Sequence, residues 1–321
     1  MRPSEPLTDG AGAAVVAAGP GAQTAPRGIS DRRTALFRET KRERTERVVL
    51  GTIWSLMPKR IGVLLPLALV WFADLVRPDR HLPDLAARAG AHDLLGIAHD
   101  LSVRTLLAAY RRSLFPHCHF GPVKWLSPPE RCVLFFDEYH MSKRLKRLMR
   151  QDRYTVSFDR DFEGVVKACA GKREGRWHVT WITPRIMHAY AALYDAGHAH
   201  SFEVWDEDGA LVGGGYGVAI GRVFFTESQF SHQDNTSKLG FSVLNYHLAK
   251  WGYVLNDGKW RTPTILDMGF RSIPRTQFVT LLDRYARDGG RPGRWSVETG
   301  PTRVADWAPK QLDEMPVRAT G

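Results

Sequence analysis

Cysteine is scarce in this chain. Three thiols, Cys118, Cys132 and Cys169, occur in 321 residues, an odd number at wide spacing. That excludes a disulfide framework and suits a reducing compartment. No Cys-x-x-Cys pair and no His-Glu-x-x-His sequence occurs, so the common zinc spacings are missing. The triplet His117-Cys118-His119 has metal-binding residue types, but neighbours on a regular element rarely chelate one ion, and no metal is expected. Gly-x-Ser-x-Gly is absent too. The glycines of GGGYGVAIG sit inside an alternating strand pattern, not between a strand and a helix, which excludes a dinucleotide-binding turn. The apolar run Ile61–Val76 falls short of the ~20 residues that cross a bilayer and contains Pro66 and Asp74. A transmembrane helix is therefore not favoured.

Acidic residues are outnumbered. Lys and Arg total 45 against 34 Asp and Glu, giving a net charge of +11 and a pI near 9.8. A surplus of this size points to an anionic partner, nucleic acid or an anionic membrane surface. Residues 1–30 are rich in Ala, Gly and Pro and too poor in large apolar side chains to order themselves. They lack the pattern of a signal peptide. We expect a disordered extension over 1–45 and an apolar and basic helical extension over 46–88. The latter suits either a helix pair packed on the body or a helix lying on an anionic membrane. The location expected is the cytoplasm, with weak membrane-surface contact through this extension.

From about residue 92 the pattern is that of a compact domain. Ser102 offers an N-cap before VRTLLAAYRRSLF. Residues 140–153 read as a helix with Met141, Leu145 and Leu148 on one stripe. Lys143, Arg144, Lys146, Arg147 and Arg150 crowd the rest of it, an arrangement that can neutralise successive phosphates. Thr183-Pro184 opens a third helix that stops near Gly197. Residues 201–230 alternate with turn signals and read as an antiparallel meander. Within it, Gly213-Gly214-Gly215 suggests a bulge or the close approach of a ligand or backbone. Asn235-Thr236 caps a helix over 237–251, Ser272 caps one over 273–285, and 291–321 reads as a loose tail.

Several blocks then resemble one family. Tyr110-Arg111-Arg112-Ser113-Leu114-Phe115-Pro116 is similar to YxRGIFPW, and Trp125-Leu126-Ser127-Pro128-Pro129-Glu130-Arg131 to WWSPDPR. Trp181-Ile182-Thr183 with Ala189-Tyr190, and the segment GHAHSFEVW at 197–205, follow in order. GGGYGVAIG at 213–221, FFTESQFSHQDNTSK at 224–238 and Ile273-Pro274-Arg275 complete the set. These motifs resemble the leucyl/phenylalanyl-tRNA–protein transferases. The resemblance implies an α+β architecture, with a small N-terminal domain (89–132) and a GNAT-like, acetyltransferase-like domain (133–290). It implies no metal and no CoA or other cofactor. The donor would be a tRNA charged with Leu, Phe or Met, and the acceptor a protein beginning with Arg or Lys, thereby marked for degradation.

By motif match, Glu227 is the acidic site residue and Asp257 the group that orients the attacking amine. An aminoacyl ester is already activated, so positioning and the removal of one proton suffice. Lys259 stands where the family has Gln in Asp-Cys-Gln; it would repel an ammonium or, desolvated, act as a base. Phe224, Ser228 and the glycine cluster, with Gly215 in place of a Met, would line the pocket for the transferred side chain. Tyr110, Trp181 and Tyr190 offer stacking faces to the terminal adenosine, and the cations of 143–150 would hold the tRNA. The departures also motivate two alternatives: transfer to a lipid or small-molecule acceptor, or an inactive tRNA-binding relative.

Overall fold

The computed structural model describes residues 27–58, 61–78, 81–85, 93–119, 121–172, 179–307 and 309. Two helices, α1 (Arg27–Leu36) and α2 (Lys41–Ser55), take up most of 27–45, the described part of the stretch whose composition predicts disorder; residues 1–26 lie outside the described residues. This correction has a tertiary cause. Arg33 is buried between Glu163 and Asp195, each at 2.6 Å, and Phe37 enters the main core. Contacts with the body thus order a segment that could not order itself. Thr40 and Glu43 close a reciprocal capping box at the start of α2. The helix α3 (Ile61–Val76) follows. Among the described residues no helix is long and apolar enough to cross a membrane.

Next come β1 (Leu94–Ile97), α4 (Val103–Arg111), β2 (Phe115–His117) and β3 (Lys124–Leu126). The three strands form an antiparallel sheet in the order β1-β3-β2. Ser102 caps α4 by accepting from the Thr105 N–H. The strand β4 (Glu130–Phe135) belongs to a second, larger sheet.

The remaining elements are α5 (Lys143–Met149), β5 (Thr155–Phe158), α6 (Phe162–Ala170), α7 (Pro184–Asp195), β6 (Ala199–Trp205), β7 (Leu211–Ile220) and β8 (Val223–Ser231). They continue with α8 (Thr236–Lys250), β9 (Leu255–Asp257), α9 (Pro263–Leu266), β10 (Arg271–Pro274), α10 (Arg275–Tyr285), β11 (Val297–Thr299) and α11 (Thr302–Ala305). Eight strands form one sheet in the order β10-β4-β9-β8-β7-β6-β5-β11. Its neighbours are antiparallel except β8 and β9, which run parallel. The molecule is α+β. One face of the large sheet packs on α4, α6, α7 and α10, with Phe162, Tyr190, Tyr216, Phe225 and Phe278 in its core. The other packs on α5 and α8, with Leu145, Met149, Phe202, Phe224 and Leu244.

Three further expectations need correction. The basic helix is half the expected length, because Asp152 takes a left-handed φ of 53° just past its end. Ser272 does not cap a helix: Ser272 and Ile273 pair with Cys132 and Arg131 in β10, and the helix begins at Arg275. The segment after Gly290 is not loose as far as Trp307. Trp295 is 1% exposed, β11 pairs with β5, and Trp307 stacks on Tyr139. The glycine cluster serves packing. A Cβ at Gly213 would collide with Thr236 of α8, and one at Gly214 would come within 2.6 Å of the Phe202 carbonyl and 3.5 Å of Val165 on α6. The helix α8 needs the first close approach and the neighbouring strand β6 the second.

Candidate active site

The site arises where the large sheet opens. β9 pairs with β8 only from Val223 to Phe225, then ends at Asp257. Beyond Phe225, β8 keeps β7 on one side but has lost its other neighbour, and residues 226–229 become half-exposed. The ladder with β7 slips at the same place. Tyr216 faces Ser228 while Gly217 faces Thr226, so Glu227 opposes no residue. A bulge of this kind bends the strand and re-aims a side chain. Here it turns the Glu227 carboxylate inward, between α4 and α7.

Glu227 is closely bound. Its side chain is 1% exposed. The Tyr110 hydroxyl donates to Oε1 at 2.6 Å and the Tyr190 hydroxyl to Oε2 at 2.8 Å. The two hydroxyl oxygens are also 2.7 Å apart. Each phenol has one proton, so with Glu227 ionised two protons serve three short contacts. Burial, reinforced by the Glu227 charge, pushes both phenols well above their ordinary range, keeping them protonated donors. Tyr216 stands beside Tyr190, its hydroxyl buried with no hydrogen-bond partner.

Lys259 supplies the cation. Its Nζ donates to Glu227 Oε1 at 2.8 Å and to the Thr226 carbonyl at 2.6 Å. It also lies 5.3 Å over the Phe115 ring and 6.0 Å over that of Tyr110. These groups form a cradle for a primary ammonium, and the chain's own lysine fills it. To reach it, Lys259 adopts a left-handed φ of 62°, costly for a residue with a Cβ. Its backbone N–H donates to Asp257 Oδ1 at 3.0 Å, which stabilises that turn.

Asp257 is brought to the site, in contact with Arg131. It is 0% exposed. Arg131 grips it in bidentate fashion at 3.1 and 2.5 Å. Arg131 also donates to the Ser113 carbonyl and packs over Phe115 and Phe278. Asp257 Oδ1 also accepts from the Lys259 backbone N–H, and the Lys259 Nζ lies 4.0 Å from Oδ2. Arg131 was in a quoted block but carried no assigned role. An invariably charged residue in a buried strand signals such a pair.

Other expected residues divide. Trp181 is half-exposed and stacks on His117 at 5.2 Å and 15°. His117 also meets Trp260 edge-on at 5.5 Å. Burial, then the neighbouring His119, Lys124 and Lys259, pushes His117 well below the usual imidazole range, so it presents a neutral ring. Tyr110 and Tyr190 are fully buried and offer no face to a base; they hold Glu227 instead. Phe224 is on the other face of the sheet, 6.0 Å from Trp295, and lines no pocket with Glu227. Gly215 opens no space either: a Cβ there would lie 2.7 Å from the Ser228 carbonyl and 2.8 Å from Phe202. Ser228 sits on the half-exposed stretch of β8. The cations of α5 are elsewhere, on the helix layer of the opposite face. Lys143, Arg144, Arg147 and Arg150 are exposed, Lys146 is half-buried, and Arg150 pairs with Asp306 at 2.5 Å. Among the described residues no three His, Cys, Asp or Glu side chains are grouped to hold a metal ion.

A second buried carboxylate lies on the same face of the sheet. Glu203 on β6 accepts from Ser157 at 2.6 Å and Ser201 at 2.5 Å. No cation bonds it, and burial pushes its carboxyl up to about 7. It is 0% exposed, in a fully paired part of the ladder.

Known proteins match the parts just described. Residues 133–283 match the family model described as leucyl/phenylalanyl-tRNA protein transferase, and residues 99–129 match that of its N-terminal domain. A leucyl/phenylalanyl-tRNA–protein transferase of Azotobacter vinelandii is 50% identical over 59% of this chain and 83% of its own length. One of Pseudomonas fluorescens is 45% identical over 69% of this chain and 97% of its own. A solved structure described as L-PGS from Bacillus licheniformis aligns at 12% identity with a TM-score of 0.28, over 62% of this chain and 65% of that one. A likeness that weak carries no argument. At such identity over nearly the whole of its relatives, and with the Glu227 bulge inside the matched segment, the chain belongs to the leucyl/phenylalanyl-tRNA protein transferase family and is an aminoacyltransferase.

Proposed function

We propose that this chain transfers Leu, Phe or Met from a charged tRNA to the α-amine of a protein beginning with Arg or Lys, marking it for degradation in the cytoplasm. The observation that carries this reading is the bulged Glu227 beside the open edge of β8. The acceptor nitrogen attacks the ester carbonyl carbon, the C–N bond forms, and the bond to the ribose oxygen breaks. The ammonium proton must leave before attack and one must reach the ribose oxygen afterwards. The Glu227–Lys259 pair is the proton-exchanging group nearest that edge, and the ester would lie along the half-exposed edge of β8 beside Glu227. Trp181 and His117 offer a stacking surface for the terminal adenosine. The α5 cations would touch tRNA phosphates away from the reacting end. We read the large sheet as GNAT-like because of its single parallel pair, β8 and β9, which part beside the reacting groups. On this reading residues 89–132 and 133–290 form the two domains. The test is transfer of radioactive Leu or Phe from tRNA to an Arg-started model protein. Labelling that survives Glu227→Gln would overturn the site.

A second reading concerns the acceptor, and the Lys259 ammonium in the Glu227 cradle favours it. A cradle already filled gives no place to a cationic acceptor residue, so a neutral or lipid-borne amine or hydroxyl would be the acceptor. A panel of acceptors separates the two: preference for Arg- and Lys-started proteins supports the first, and equal use of neutral acceptors supports the second.

A further inference from the structure

Every large apolar side chain that is exposed among the described residues lies between Val48 and Val76. They are Val48, Val49, Ile53 and Leu56 on α2, and Leu65, Leu69, Trp71, Phe72, Leu75 and Val76 on α3, from 45% to 74% exposed. A compact surface scatters such residues singly, and a contiguous set marks an interaction site. Their arrangement on α3 is one-sided. Leu65, Leu69, Phe72 and Val76 recur at helical spacing along the outer stripe, while Leu67, Val70 and Asp74 on the opposite side are half-buried. Asp74 bonds His99 at 2.7 Å, and Arg33, Phe37 and the Trp54–His119 contact at 4.6 Å hold the preceding helices to the body. The extension therefore presents this face from an anchored base.

We propose that the outer stripe of α3, helped by the exposed face of α2, docks on an anionic lipid bilayer. Length rules out insertion across it: 16 residues rise ~24 Å against a hydrocarbon core of ~30 Å. Charge selects the surface. Arg33 is buried in ion pairs and Arg32 and Arg47 are paired, but Arg38, Lys41, Arg42 and Arg44 are exposed, and the only exposed acid between residues 31 and 58 is Asp31. On α2, exposed Lys41 and Arg42 fall on the same helical face as Val49, Ile53 and Leu56. Cations beside apolar side chains match anionic headgroups over acyl chains. A second copy is a poorer occupant, because two such faces would oppose like charges. The chain's own termini have little to offer: the large apolar residues of 1–26 are Met1, Leu7, Val15 and Val16, and those of 308–321 are Leu312, Met315 and Val317.

The experiment is flotation of the full chain with vesicles of phosphatidylcholine alone or mixed with phosphatidylglycerol. The chain floats with the anionic vesicles, weakly with the neutral ones, and less as salt rises. Leu69→Glu combined with Phe72→Glu lowers anionic-vesicle binding at least about tenfold while leaving the thermal melt unchanged, since both side chains are exposed. Absence of flotation on either composition overturns the proposal. So does flotation unaffected by the double substitution, or a dimer in light scattering that the substitution converts to monomer. Equal flotation with neutral vesicles overturns the choice of an anionic surface. None of these readouts depends on transferase activity.

Discussion

Glu203 and Glu227 sit on the same face of one sheet, on strands separated only by β7. Both carboxylates are buried and both accept from two hydroxyl groups. They differ in what surrounds the strand. At Glu203 the ladder is complete on both sides, two serines are the hydroxyl donors, and burial holds the carboxyl near neutrality. At Glu227 one neighbouring strand has ended, a bulge frees the residue, and Lys259 supplies a charge. A buried acid is thus not by itself a site. What sets Glu227 apart is a bulge at an open strand edge and a cation bonded to the acid.

Breaking the cationic support of the open centre has the largest expected effect. Arg131→Met leaves Asp257 buried without its partner and costs about 3–5 kcal/mol of stability, measured by urea denaturation. A change under ~1 kcal/mol would mean that the pair does not hold the Lys259 turn. Glu227→Gln comes next. It lowers kcat/KM for leucyl transfer about 10²-fold, whereas Glu203→Gln leaves kcat/KM near the wild-type value. Equal losses in the two variants would erase the distinction drawn above.

The third effect is a pH dependence of the sealed centre. Burial pushes the Glu203 carboxyl up to about 7 in the folded state, from an ordinary value of about 4.5. The folded state therefore holds a proton that the unfolded state has lost between these values. This contribution is fully present below about 4.5 and is lost as pH rises towards 7. Between pH 5 and 7, Glu203→Gln should gain on the order of 1–3 kcal/mol relative to wild type, read from denaturation at each pH. A flat difference would refute the buried, cation-free description. The smallest effect belongs to α5, remote from both acids. Lys143→Gln with Arg147→Gln should weaken tRNA binding a few-fold and reduce its salt slope by about 1–2. An unchanged slope would remove α5 from the tRNA path.

Much of this was legible in the residues. The Ser102 and Thr183 caps, the meander and the motif order all predict elements that are present. The site was only partly legible. Glu227, Asp257 and Lys259 read as one centre and lie together, but their pairing was not legible, and Tyr110 and Tyr190 read as stacking faces when they are buried donors. Phe224 reads as a pocket wall, yet strand alternation turns it to the opposite face. The bulge inverts facing locally, and a shift of one residue between strands is invisible without the partner strand. Arg33 shows the same limit at long range: its two carboxylate partners, Glu163 and Asp195, are 130 and 162 residues away in sequence.

The sequence by itself determined the family, the net charge of +11 and the short apolar stretch of the extension. Those depend on residue type and order alone. Only the tertiary structure decided that Asp257 pairs with Arg131, that Lys259 fills the Glu227 cradle, and that residues 27–45 are ordered. Each rests on pairing a charge with partners distant in the chain, and burial makes such pairing worth far more than it would be in water.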